Sequence, residues 1–138
     1  HRGNATIEQN RFLLDAHSEF NFSGPDVSIH RMSLSWMPQD NIHLHMCYQW
    51  AGCYDYKSVE VYNQSVYLTT NNNRKLTRKL ITCMNEEIKM IIYDYNQQAI
   101  YINAQKFEIN LTLVPSCVAV LNESKTATQL ISCRIEGK

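Results

Sequence analysis

His43, His45 and Cys47 occupy alternate positions of the run Ile42-His-Leu-His-Met-Cys-Tyr48. On a β-strand, alternate residues share a face. Two imidazoles and a thiolate on one face are donors that zinc accepts. An oxidising compartment gives the same cysteine a competing use, because a disulfide takes the thiol. We favour the bridge, so His43 and His45 are expected to be strand surface residues, with no metal and no cofactor bound.

Other catalytic groupings are missing. The chain has no Gly-x-Ser-x-Gly around a nucleophile, and its four glycines form no phosphate-cradling loop. Glu86 and Glu87 are adjacent, so on a strand they would point to opposite faces; they read as a turn before Ile88. No catalysis is expected. Recognition chemistry is better represented. Tyr54, Asp55 and Tyr56 follow Gly52 in a loop, and tyrosine combines buried area with a polar handle. These three residues are the expected binding site.

Five Asn-x-Ser/Thr acceptor sites occur, at Asn4, Asn21, Asn63, Asn110 and Asn122. Thirteen Asn and eighteen Ser plus Thr in 138 residues would give about two by chance. The excess points to a secreted or extracellular ectodomain carrying N-linked glycans. The cysteines fit that compartment. Cys47, Cys53, Cys83, Cys117 and Cys133 are odd in number, which implies two bridges and a leftover thiol. Cys117–Cys133 and Cys47–Cys53 are the expected pairs. Cys83 is left over, either buried and inert or available to a covalent partner or dimer. No CxxC occurs, which removes the usual zinc-ribbon and thioredoxin-like patterns.

Net charge is zero, which argues against a nucleic-acid partner. The basic cluster Arg74-Lys-Leu-Thr-Arg-Lys79 reads as a solvated strand or turn. No apolar run is long enough for a membrane span, and no signal-peptide core is present, so the chain reads as a mature protein or trimmed ectodomain.

The elements that position these residues come from period-two alternation. Ile42, Leu44, Met46, Tyr48 and Trp50 define one half-buried strand, and Phe107, Ile109, Leu111 and Leu113 another, with Asn110 on its polar face. A parity change at His30-Arg31, between Val27-Ile29 and Met32-Leu34-Trp36, predicts a β-bulge. Hairpins are expected around Asn63-Gln-Ser65 and Asn96-Gln-Gln98, with a turn at Asn71-Asn-Asn73. Residues 76–83, 117–121 and 129–135 complete the set. The expectation is an all-β, antiparallel β-sandwich of about seven to nine strands, a divergent immunoglobulin-like fold, over residues 26–138. Residues 1–25 lack alternation and are expected to form an N-terminal arm or short helix. The function expected of such a domain is recognition of a protein, such as a host receptor or immune molecule, by a secreted, cell-surface or viral glycoprotein. The alternative is a lipocalin-like β-barrel carrying a small apolar ligand.

Overall fold

A strand with alternating polarity must lay its apolar side on another layer, and this chain does so with two sheets. The computed structural model describes residues 5–22, 28–48, 56–112, 114–115 and 117–137. The strands among them are β1 (Ala5–Leu14), β2 (Ser18–Phe22), β3 (Ile29–Trp36), β4 (His43–Tyr48), β5 (Tyr56–Tyr62), β6 (Ser65–Asn72), β7 (Lys75–Cys83), β8 (Met90–Asp94), β9 (Ala99–Ile102), β10 (Gln105–Glu108), β11 (Val118–Asn122) and β12 (Thr128–Gly137). The first sheet runs β1-β12-β3-β8-β9-β10 and the second β2-β11-β4-β5-β6-β7. Pairing is antiparallel throughout, from β1–β12 in the first sheet to β6–β7 in the second. The sandwich expected from alternation is formed. Among the described residues each sheet keeps two edges, and the two pack as a sandwich.

The twelve strands exceed the expected seven to nine. Much of the excess comes from the N-terminal segment, which is neither an arm nor a helix: it supplies β1 to one sheet and β2 to the other. The rings of Phe12 and Phe20 lie 4.7 Å apart where the two strands diverge. Alternation is hidden in β1 because Arg11 takes a left-handed backbone, φ 48°. Ile7 packs on the core before it, whereas Phe12 and Leu14 do so after it. β12 changes parity opposite, with Leu130 inward and then Cys133 and Ile135. The expected bulge in β3 is present: Ile29 and Arg31 pair with the consecutive residues Gly137 and Glu136, leaving His30 as the extra residue.

Trp36, Met32, Leu34, Ile91 and Tyr93 from the first sheet meet Leu44, Met46 and Tyr48 from the second. Each such burial contributes roughly 1.5–3 kcal/mol. The Tyr48 and Tyr93 rings sit 4.9 Å apart and share a hydrogen bond through their hydroxyls, joining the sheets at the centre. The hairpin turns fall where expected. Asn63-Gln64 joins β5 to β6, and Asn73-Arg74 joins β6 to β7 with φ 51° and 64°. Positive φ at both central residues is the type I′ pattern, which asparagine tolerates.

The cysteine pairing needs correction. Cys133 is a buried, unbridged thiol on the core face of β12, and burial pushes it up to about 12. Cys117 precedes β11 in the opposite sheet, so the polar turn between them separates the cysteines instead of joining them. Cys53 lies outside the described residues, so the expected Cys47–Cys53 bridge does too. Cys83 is exposed on β7, its Sγ 3.3 Å from Ser65 Oγ; it is therefore not buried and inert.

Candidate functional site on the outer face of the second sheet

Pointing Leu44, Met46 and Tyr48 into the core leaves His43, His45 and Cys47 on the outer face of β4. The same parity in β5 buries Val59 and Val61 inward and turns Ser58, Glu60 and Tyr62 outward. Register then aligns these side chains. His43 pairs with Tyr62, His45 with Glu60, and Cys47 with Ser58. Across the next ladders Glu60 pairs with Tyr67, Ser58 with Thr69, and Thr69 with Arg78.

Glu60 is the hub. It is fully buried, 0% exposed, and a buried carboxylate needs compensation. Arg78 donates from Nε to Oε1 at 2.8 Å and from Nη2 to Oε2 at 2.9 Å, a bidentate fork. His43 Nε2 lies 2.5 Å from Oε2. Burial pushes the Glu60 carboxyl up, but His43, His45 and Arg78 together outweigh it and hold the group below the usual carboxylate range. Glu123, just beyond β11, is also held low, chiefly by the His45 ring beside it. His45 itself is 2% exposed. Its Nδ1 meets Ser58 Oγ at 3.1 Å, and Ser58 shares a short hydroxyl contact with Thr69. Its Nε2 makes no hydrogen bond and lies 3.5 Å from both Glu60 Oε2 and Glu123 Oε2. The donor atoms of His43, His45 and Glu60 all fall within 4.8 Å of one another, close enough to hold a metal ion.

The rim is open and aromatic. Tyr62, 45% exposed, stacks on His43 with ring centroids 4.5 Å apart and planes at 11°. Arg78 lies over the Tyr67 ring, 5.6 Å from its centroid. A shallow pocket of about 200 Å³ opens beside them, lined by Asn41, His43, Tyr62, Glu123, Ser124 and Lys125.

The structure brings together His43 and His45 as read from sequence, but not with Cys47 as a third donor. Cys47 is buried with Tyr56 and Ala119, and the carboxylates of Glu60 and Glu123 surround the imidazoles in its place. Of the expected binding loop, Tyr54 and Asp55 lie outside the described residues. Tyr56 is buried at the start of β5, edge-on to His45 at 5.8 Å; it buttresses the cluster and is not a free loop side chain. Ser58, Glu60, Thr69 and Glu123 were not singled out by sequence, and Arg78 was read only as part of a solvated basic cluster, whereas it grips Glu60. Folding residues 56–72 about Asn63-Gln64 would have paired Ser58 with Thr69 and Glu60 with Tyr67.

The acceptor sites divide. Asn63 and Asn110 are exposed, as is Asn21 on the edge strand β2, while Asn4 lies outside the described residues. Asn122 is 0% exposed and must be removed from the set. Its Nδ2, the atom a glycan would occupy, donates to the carbonyls of Leu14, Asp15 and Thr126 at 3.0, 3.3 and 3.2 Å. Its Oδ1 accepts from Ser124 N at 2.9 Å, and Ser124 Oγ accepts from His43 N at 2.8 Å. Asn122 and Ser124 thus clamp the β11–β12 connection to the start of β4, next to the cluster.

No family model matches the sequence, and no curated protein matches it. Solved structures do resemble the fold. A galectin, LEC-6 of Caenorhabditis elegans, superposes with a TM-score of 0.59 over 93% of this chain and 94% of its own, at 12% identity. A native glycosidic hydrolase superposes with a TM-score of 0.51 over 94% of this chain and 77% of its own, at 7% identity. At such identities the likeness is one of fold: two antiparallel sheets in a galectin-like jelly-roll sandwich.

Proposed function

We propose that this chain is an extracellular recognition domain that binds saccharide on the outer face of its second sheet, around His43, Glu60, Tyr62 and Arg78. The observation carrying this reading is the Arg78–Glu60–His43 network. Buried Glu60 fixes the planar groups of Arg78 and His43 at an open sheet face, beside an exposed tyrosine ring. Sugar hydroxyls pair with such planar groups, and the C–H face of a pyranose ring packs on an aromatic. Preorganisation lowers the ordering cost of binding. The jelly-roll is also used by lectin domains, and the likeness to a galectin is in keeping with this. An immunoglobulin-like variant of the sandwich is not needed for the reading.

Binding is favoured over catalysis. Glycoside hydrolysis requires a carboxylic acid with a raised pKa to protonate the leaving oxygen. Both Glu60 and Glu123 are held low, hence ionised at neutral pH. A protein partner, as expected from sequence, would then be engaged through its attached sugars.

The test is a glycan array probed with the secreted domain in EDTA-containing buffer, followed by titration of the best ligand. Binding that falls at least tenfold in Tyr62→Ala and Arg78→Ala supports the reading. Absence of saccharide binding, or binding untouched by both substitutions, overturns it.

A further inference from the structure

The cluster has a property that saccharide recognition does not use. We propose that His43, His45 and Glu60 form the core of a binding site for a divalent transition metal of the zinc type, with Glu123 beside it on the open side as a fourth donor. Nitrogen and carboxylate donors suit that borderline ion. The argument starts from His45. Its ring is buried, yet Nε2 is left without a hydrogen bond, and burying a polar atom unsatisfied is costly. Ser58 Oγ engages Nδ1. If Nδ1 donates to Ser58, an ion between Glu60 and Glu123 would take the place of the proton by which Nε2 otherwise stabilises the two carboxylates. Metal-bound histidines are oriented in this way through their second nitrogen.

The spacing fits. Metal–ligand bonds of roughly 2.0–2.1 Å put neighbouring donors of a tetrahedral site roughly 3.3 Å apart. His45 Nε2 is 3.5 Å from Glu60 Oε2 and 3.5 Å from Glu123 Oε2. His43 Nε2, at 2.5 Å from Glu60 Oε2, needs to open by less than roughly 1 Å, replacing a shared proton with the ion. Arg78 does not block the site, because each carboxylate oxygen has a second lone pair. Two carboxylates face one guanidinium, so with both imidazoles neutral the cluster carries a net negative charge. Glu123 lies at the open side, giving an ion a path of entry.

The experiment titrates zinc chloride into EDTA-stripped protein carrying Cys83→Ser, which removes the exposed thiol, followed by calorimetry and native mass spectrometry. One zinc per chain is expected. Its affinity should fall at least tenfold in Glu123→Gln and in His43→Ala, both partly exposed positions whose folding is checked by circular dichroism. A cobalt-substituted sample should give the visible spectrum of a four-coordinate nitrogen–oxygen site. No stoichiometric zinc, or zinc binding unchanged in both variants, overturns the proposal. The titration contains no saccharide and the array contains EDTA, so each proposal fails or stands separately.

Discussion

The guanidinium of Arg78 reaches across β6 to grip both oxygens of Glu60, at 2.8 and 2.9 Å. Glu60 belongs to β5 and Arg78 to the edge strand β7, so one residue on the rim neutralises a charge in the sheet's interior. Arg78→Met is expected to leave the buried carboxylate undercompensated and to cost about 2–3 kcal/mol. Adding Glu60→Gln should recover part of the loss. Urea unfolding of the single and double variants measures both.

Asn122→Ala should destabilise the domain by about 2–3 kcal/mol, because three carbonyls lose their donor. Asn63→Asp keeps a residue that tolerates φ 55° and should stay within about 0.5 kcal/mol of the parent. Site-resolved mass spectrometry of secreted native protein should find glycan on Asn63 and Asn110 and none on Asn122.

Alkali should unfold the protein early. Burial pushes Tyr48 and Cys133 up to about 12 and raises Tyr93 as well. Between an ordinary pKa near 9–10 and these folded values, the unfolded chain has released protons that the folded chain still holds. Stability therefore falls as pH rises, by up to about 1.4 kcal/mol per pH unit for each group. Urea midpoints measured from about pH 8 to about pH 11 should decline, and Tyr93→Phe should flatten the decline.

The cysteines should react at different rates. Cys83 is exposed and Cys133 buried, so a maleimide should label Cys83 in the native state and Cys133 only in denaturant. Peptide mapping after each treatment distinguishes them.

Much of the fold was legible because its signals were local. The run from Ile42 to Tyr48 alternates without interruption, the Asn63 and Asn73 turns carry their own chemistry, and the bulge at His30 leaves a parity change in the sequence. β1 was illegible because Arg11 reverses parity midway, and alternation cannot be followed through a left-handed residue. The site was half legible. His43 and His45 lie on one strand, so spacing places them together. Glu60, Arg78 and Glu123 come from three other segments, and only sheet order brings them to the histidines. Asn122 misled because an acceptor motif says nothing of burial: its Asn and Ser are also the residues that close a tight turn.

That turn sets a clock. The secretory machinery reads an acceptor motif on the nascent chain, before packing has hidden it, and Asn122-Glu-Ser124 offers itself like any other. A sugar attached there would occupy the nitrogen that holds Leu14, Asp15 and Thr126, and the β11–β12 connection could not close. Every molecule made along that route therefore runs a race between transferase and folding, and only those that fold first at this corner reach the native state. Expressed through a secretory host, the chain's yield would then report the speed of local closure, and a faster-closing turn should raise output without touching the folded surface.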